Sequence, residues 1–168
     1  KVGLYGDIGS ANDDEAQEWR LLALDKKTGA ILWNQLALKA VPKVRRHTKA
    51  SHCNSTPATD GRHIVAIFGS EGLFCFDTEG KLLWRKDLGP MDSGYFASPT
   101  AQWGFGSSPI LHEGKVIVLC DVQKDSFIAA FDVLDGRELW RTGRKDVPTW
   151  GTPTLVKTQQ RTQLVVNG

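Results

Sequence analysis

The sequence predicts an all-β chain of radially packed, four-stranded antiparallel blades, the β-propeller architecture. Three observations predict it. A punctuation of apolar run, acid, glycine turn and tryptophan occurs three times, as ALDKKTGAILW (23–33), FCFDTEGKLLW (74–84) and AFDVLDGRELW (130–140). Asp25, Asp77 and Asp132 lie 52 and 55 residues apart, and Trp33, Trp84 and Trp140 lie 51 and 56 apart, so the chain repeats with a period of about 53. A second marker keeps the same time: NSTP ending at Pro57 and GSSP ending at Pro109 are 52 apart, and WGTP at 150–153 opens a further unit. Finally, HIVAIFGS (63–70) and KVIVLCD (115–121) are β-branched, nearly continuous apolar runs of strand length.

Strands apolar on both faces occur in parallel sheets, but those need crossover helices of a dozen or more residues. Here only short glycine turns, SEG at 70–72 and EG at 79–80, separate the runs, which suits antiparallel hairpins. Each such sheet needs a neighbour on either side, and a chain repeating one four-stranded unit supplies its own. The expected units are a blade end at about 1–38, a blade at about 54–89, a blade at about 106–143 and a blade start at about 150–168. SANDDEAQEWRLLAL (10–24) has a helix-like start at Ser10 or Asn12. The repeat places residues 20–25 where FCFD and AAFD stand later, so 10–18 is expected to be an acidic loop leading into a strand.

Bulk properties exclude several function classes. With 40% hydrophobic and 24% charged residues, the chain has ordinary globular composition. A net charge of +2 is too mild to imply nucleic acid or an anionic membrane as partner. No apolar stretch approaches a membrane span. The start, KVGLYGD, carries no signal pattern, so any targeting signal would lie upstream. Cys53, Cys75 and Cys120 form no CxxC and are expected to be buried thiols.

ALDKKTGAILW resembles the tryptophan-docking pattern of pyrroloquinoline-quinone-like (PQQ-like) propellers, Ala-x-Asp-x-x-Thr-Gly-x-x-x-Trp, at every fixed position. The copy at 130–140 has Asp135 in place of Thr. The middle copy has Cys75 in place of Ala and lacks one residue between Asp77 and Gly80, a departure that predicts weaker docking. The resemblance covers essentially all of the chain and implies that Trp33, Trp84 and Trp140 each pack on a neighbouring blade's turn, with the indole N–H bonded to backbone there. It makes Asp25, Asp77 and Asp132, with Gly29, Gly80 and Gly136, structural turn residues. It also implies a bacterial protein that is periplasmic or extracellular.

The same class includes quinoprotein dehydrogenases, in which adjacent cysteines stack on the cofactor. The cysteines here are far apart, so no catalytic, cofactor-binding or metal residue is expected within these residues. Pyrroloquinoline quinone and Ca2+ are expected only if the full protein is a dehydrogenase. His47, His52 and Cys53 are ligand types without a zinc spacing. They lie in a connection where exposed histidines are expected, together with Lys39, Lys43, Arg45, Arg46 and Lys49, a basic run read as a solvated loop. Ser107 and Ser108 stand outside a Gly-x-Ser-x-Gly elbow, and GFG at 104–106 precedes a strand rather than a helix.

The most informative non-repeating stretch is DLGPMDSGYFASPTAQWGFG (87–106). Its Tyr95, Phe96, Trp103 and Phe105, with Trp150 one unit later, are candidates for a ligand or partner rim, set against the simpler role of covering the blade core. The expected function is a non-catalytic binding or scaffold segment of a larger protein. Its partners would be the remaining blades, a protein or a carbohydrate, or another copy through open blade edges. The alternatives are part of a quinoprotein dehydrogenase with its catalytic residues elsewhere, and a propeller like the assembly factor of outer-membrane barrels.

Overall fold

The computed structural model describes residues 10–11, 13–95 and 98–168. The described strands are β1 (Ser10–Ala11), β2 (Gln17–Leu24), β3 (Ile31–Ala40), β4 (Arg46–His47), β5 (Ala58–Thr59), β6 (His63–Ile67), β7 (Leu73–Asp77), β8 (Leu82–Lys86), β9 (Gly94–Tyr95), β10 (Ser98–Gln102), β11 (Ile110–His112), β12 (Lys115–Cys120), β13 (Phe127–Asp132), β14 (Glu138–Gly143), β15 (Thr154–Lys157) and β16 (Thr162–Val165). They form antiparallel sheets in chain order: sheet I (β2–β3), sheet II (β5–β6–β7–β8), sheet III (β11–β12–β13–β14) and sheet IV (β15–β16). The small pairs β1–β4 and β9–β10 sit in the connections. Sheets II and III are four-stranded blades of a β-propeller.

Period-2 alternation explains why both blades are apolar on two sides. In sheet II, Val65, Ile67, Leu73 and Cys75 face sheet III, where they meet Val116, Val118, Phe127, Ala129 and Phe131. The intervening Ala66, Phe74 and Phe76 face sheet I and pack with Trp19 and Leu21. Sheet III repeats this, turning Ile117, Leu119, Ile128 and Ala130 toward Leu164 and Val166. The run HIVAI is apolar throughout because it is the middle of a stack.

The acid–glycine turns share one geometry. Asp25 and Asp132 each accept the N–H of the glycine four residues on, Gly29 at 2.7 Å and Gly136 at 2.9 Å, while Asp77, in the shortened copy, accepts that of Gly80 at 3.2 Å. Each carboxylate then accepts backbone N–H groups inside its own turn: Lys27 and Thr28 on Asp25, Glu79 and Lys81 on Asp77, Leu134 on Asp132. Gly29, Gly80 and Gly136 sit at φ +74°, +85° and +71°, the left-handed region where a Cβ is strained.

Trp33, Trp84 and Trp140 occupy one register, opposite Ala23, Cys75 and Ala130, each two residues before the turn Asp and each beside a bulge. Trp33 Nε1–H donates to the Thr78 carbonyl at 3.0 Å, and Trp84 Nε1–H to the Val133 carbonyl at 2.8 Å. Both acceptors are the residue after the turn Asp. The residue missing from the middle copy lies beyond that carbonyl, so its turn still accepts the indole of Trp33. Trp140 is 38% exposed.

The proline markers also bond to one another. Thr56 N–H donates to Ser108 Oγ at 2.9 Å, and Ser108 N–H to Thr152 Oγ1 at 3.0 Å. Each residue precedes its proline, so successive units are joined hydroxyl to amide where their first strands begin. Among the described residues no helix is long and apolar enough to cross a membrane.

Candidate functional site: the connection-rich end

Strand direction separates the two ends of the blades. Register pairs Gln17 with Ala40, Leu73 with Lys86 and Phe127 with Gly143. The end where β3, β8 and β14 finish therefore also carries the β6–β7 and β12–β13 turns and the long connections 41–57, 87–109 and 144–153. Among the described residues the opposite end carries only the tight turns after β2, β5, β7, β11, β13 and β15. Long loops on a rigid scaffold are where binding residues concentrate.

At the connection-rich end, Asp13 is the hub of one cluster. Its carboxylate accepts Arg46 Nε–H at 2.8 Å and Nη2–H at 3.2 Å, and Oδ2 lies 2.9 Å from His52 Nε2. The Arg46 guanidinium, followed by the His52 ring, holds the Asp13 carboxyl below the usual carboxylate range against the opposing effect of burial. Trp19, at 1% exposure, lies 5.9 Å from the His52 ring, and its indole N–H has no partner among the described residues. These residues with Ser51 and Cys53 line a cleft of about 320 Å3. A second cleft of about 320 Å3 opens between β3 and β8, with Leu38 and Phe74 in its apolar wall and Lys43, Glu71, Arg85, Lys86 and Asp87 as its charges.

Several expectations are corrected here. His47 is buried at 8% exposure and stacks on Trp103, ring centroids 5.0 Å apart, and His52 is mostly buried as well. The basic run is exposed at Lys39, Lys43, Arg45 and Lys49, with Lys39 pairing at the surface with Glu18 and Lys43 with Asp87, and it departs from a solvated run only at Arg46, which is half-buried in its pair with Asp13. The acidic stretch 10–18 is partly strand: Ser10–Ala11 pairs with β4, and Gln17 and Glu18 already belong to β2. Cys75 and Cys120 are buried, but Cys53 is exposed. Burial, then the charges of Asp60 and Asp77, pushes the Cys75 thiol up to about 12.

The described rim candidates take different places. Phe105 is buried in the core between sheets II and III, beneath Gly69, and covers the blade as the simpler role required. Trp103 is half-buried against His47. Trp150 is 46% exposed, yet it packs on Gly106 and donates its indole N–H to the Gly104 carbonyl at 2.7 Å. Tyr95 belongs to β9, and Phe96 lies outside the described residues. Sequence reading missed Asp13, Glu71 and Asp121. Asp121, fully buried, binds Arg144 at 2.7 and 3.2 Å and Thr149 at 2.9 Å, fastening β12 to the connection after β14. Its signal was an acid ending an apolar strand. Among the described residues no cluster of three or more His, Cys, Asp or Glu is placed to hold a metal ion.

No curated protein matches the sequence. Among solved structures, BamB from Moraxella catarrhalis is similar over 93% of this chain and 45% of its own, with 17% identity and a TM-score of 0.56. A europium-containing methanol dehydrogenase is similar over 76% of this chain and 22% of its own, with 17% identity and a TM-score of 0.53. This chain thus spans less than half the length of either, and at such identity the likeness shows the fold alone. The family profile described as "Outer membrane protein assembly factor BamB" matches residues 17–167, so with its repeated turns and stacked blades the chain belongs to this family of PQQ-like propeller proteins.

Proposed function

We propose that this chain is a non-catalytic propeller segment of a larger periplasmic or extracellular protein, acting as a scaffold that presents its connection-rich end to a protein partner. The observation that carries this reading is the contrast between the two ends, long built connections at one and tight turns at the other. In this reading Trp33 and Trp84 dock blade to blade, with the Asp and Gly residues of each turn as their seats. Trp103 and Trp150 shape the binding end. The family description supports a partner within outer-membrane protein assembly. The chain uses no quinone or Ca2+ of its own.

A pull-down of purified outer-membrane assembly components tests it. Arg45→Glu with Lys49→Glu, at the exposed part of the connection-rich end, is expected to abolish retention, whereas Lys81→Glu on the turn end retains it. Equal retention by both variants would refute the assignment of the face. Titrating the intact protein with the quinone and Ca2+ is expected to leave absorbance and Tm unchanged, and a shift in either would favour the dehydrogenase reading instead.

A further inference from the structure

An arginine follows the docking tryptophan in both four-stranded blades, and the two blades treat it differently. In sheet III Arg141 follows Trp140, opposes Ala129 and lies on the face toward sheet II. Its guanidinium sits 3.8 Å from the centre of the Phe127 ring and binds the Glu138 carboxylate at 2.8 Å. Phe127 and Glu138 thus hold this arginine within its own blade. In sheet II Arg85 follows Trp84, opposes Phe74 and lies on the face toward sheet I. Gly72 takes the position of Phe127 there, and Leu82 that of Glu138. No side chain can replace the missing ring, since a Cβ at Gly72 would run into the Lys86 carbonyl. Among the described residues Arg85 therefore has no carboxylate partner and no stacked ring.

The place left open is the cleft between β3 and β8. Leu38 and Ala40 of sheet I form one wall, and Phe74 and Arg85 of sheet II the other. The other charges at the cleft are engaged. Lys43 pairs with Asp87 at 3.1 Å, its backbone N–H donates to Glu71 Oε1 at 2.9 Å, and Lys86 lies 5.5 Å from the centre of the Phe131 ring, toward sheet III. What remains is a guanidinium beside an apolar wall, in about 320 Å3. Ligand pockets run from about 300 to 1,000 Å3, so this one suits a side chain or two and not a folded element. A guanidinium is a planar fork that fits a carboxylate through two parallel N–H···O bonds.

We propose that this cleft takes an extended segment of a partner protein in which an apolar residue and an Asp or Glu stand two positions apart. Residues at that spacing leave an extended chain on the same side, so one segment sets both side chains into the cleft together. The carboxylate meets Arg85 and supplies what Glu138 supplies to Arg141, while the apolar side chain lies against Leu38 and Phe74. This rests on the reading of the connection-rich end as the partner face, and it narrows that face to one gap between blades, beside the connection 41–57.

Panning a random peptide library on the immobilised intact protein tests it. The pattern apolar-x-acid is expected among the retained peptides. A synthetic peptide of that pattern should bind Arg85→Glu at least about tenfold more weakly than the parent, and Lys81→Glu, the same change of charge at the turn end, as well as the parent. Exchanging the acid of the peptide for lysine should restore binding to Arg85→Glu, a rescue that a misfolded variant would not give. Retained peptides without the pattern, equal binding by Arg85→Glu, or no rescue would overturn the proposal. A mass that grows with protein concentration in the parent but not in Arg85→Glu would give the cleft to a second copy of the chain and overturn it as well. Retention of assembly components that depends on Arg45 and Lys49 but not on Arg85 would overturn the cleft and leave the partner face standing.

Discussion

At Val133 a single carbonyl oxygen receives the Trp84 indole N–H at 2.8 Å, with the Cys75 thiol at 3.8 Å. The geometry explains why cysteine is tolerated in the middle copy where the other copies have alanine: its sulfur is fully buried against the same acceptor. Trp84→Phe removes the strong donor and keeps the apolar contact, so a loss of about 1 kcal/mol is expected in the urea midpoint. Trp84→Ala also vacates the seat over Gly136 and should cost about 3 to 5 kcal/mol. Trp140→Ala, at an indole 38% exposed, should cost less than Trp84→Ala in the same measurement. Two tryptophans that look equivalent in sequence are thereby ranked by what their indoles touch.

The hairpin between β5 and β6 is held by Asp60. Burial raises its carboxyl, but the His63 ring at 2.9 Å and the N–H groups of His63 and Arg62 outweigh it and bring the group down to about 2. A carboxylate lowered on folding stabilises the fold fully above its unfolded value near 3.8, and that contribution is lost as pH falls through about 2. Denaturation followed from pH 6 to pH 2 should therefore show Asp60→Asn less stable than the parent at pH 6, with the gap closing toward pH 2. An unchanged gap across that range would remove Asp60 from the acid response. The proline markers act between elements too: the Thr56, Ser108 and Thr152 relay fixes where β5, β11 and β15 start relative to one another.

Across the whole molecule, each sheet contacts its neighbours in the stack, so stability is expected to be distributed by adjacency. Trp33→Ala opens the contact of sheet I with sheet II. Hydrogen exchange should then rise in β2, β3 and the Thr78–Gly80 turn, while β12 and β13 keep their protection; uniform loss would mean that the stack unfolds as one unit. The repeat punctuation, the apolar runs and the glycine turns were enough to read blades, their order and the turn chemistry from sequence. That legibility has a physical cause, because alternation and left-handed turns are local requirements that recur every 53 or so residues. The long connections were not legible. Arg46 and His52 gained a partner in Asp13, which lies 33 residues before Arg46 in the chain, His47 was buried against Trp103, and Phe105 proved to be core because sheets II and III close over it. Pairings of that kind depend on which loops the stacked sheets bring to the same end. Local sequence determined the blade; only the tertiary structure decided which tryptophan found a seat and which face was built to be met, because both depend on the neighbour packed alongside.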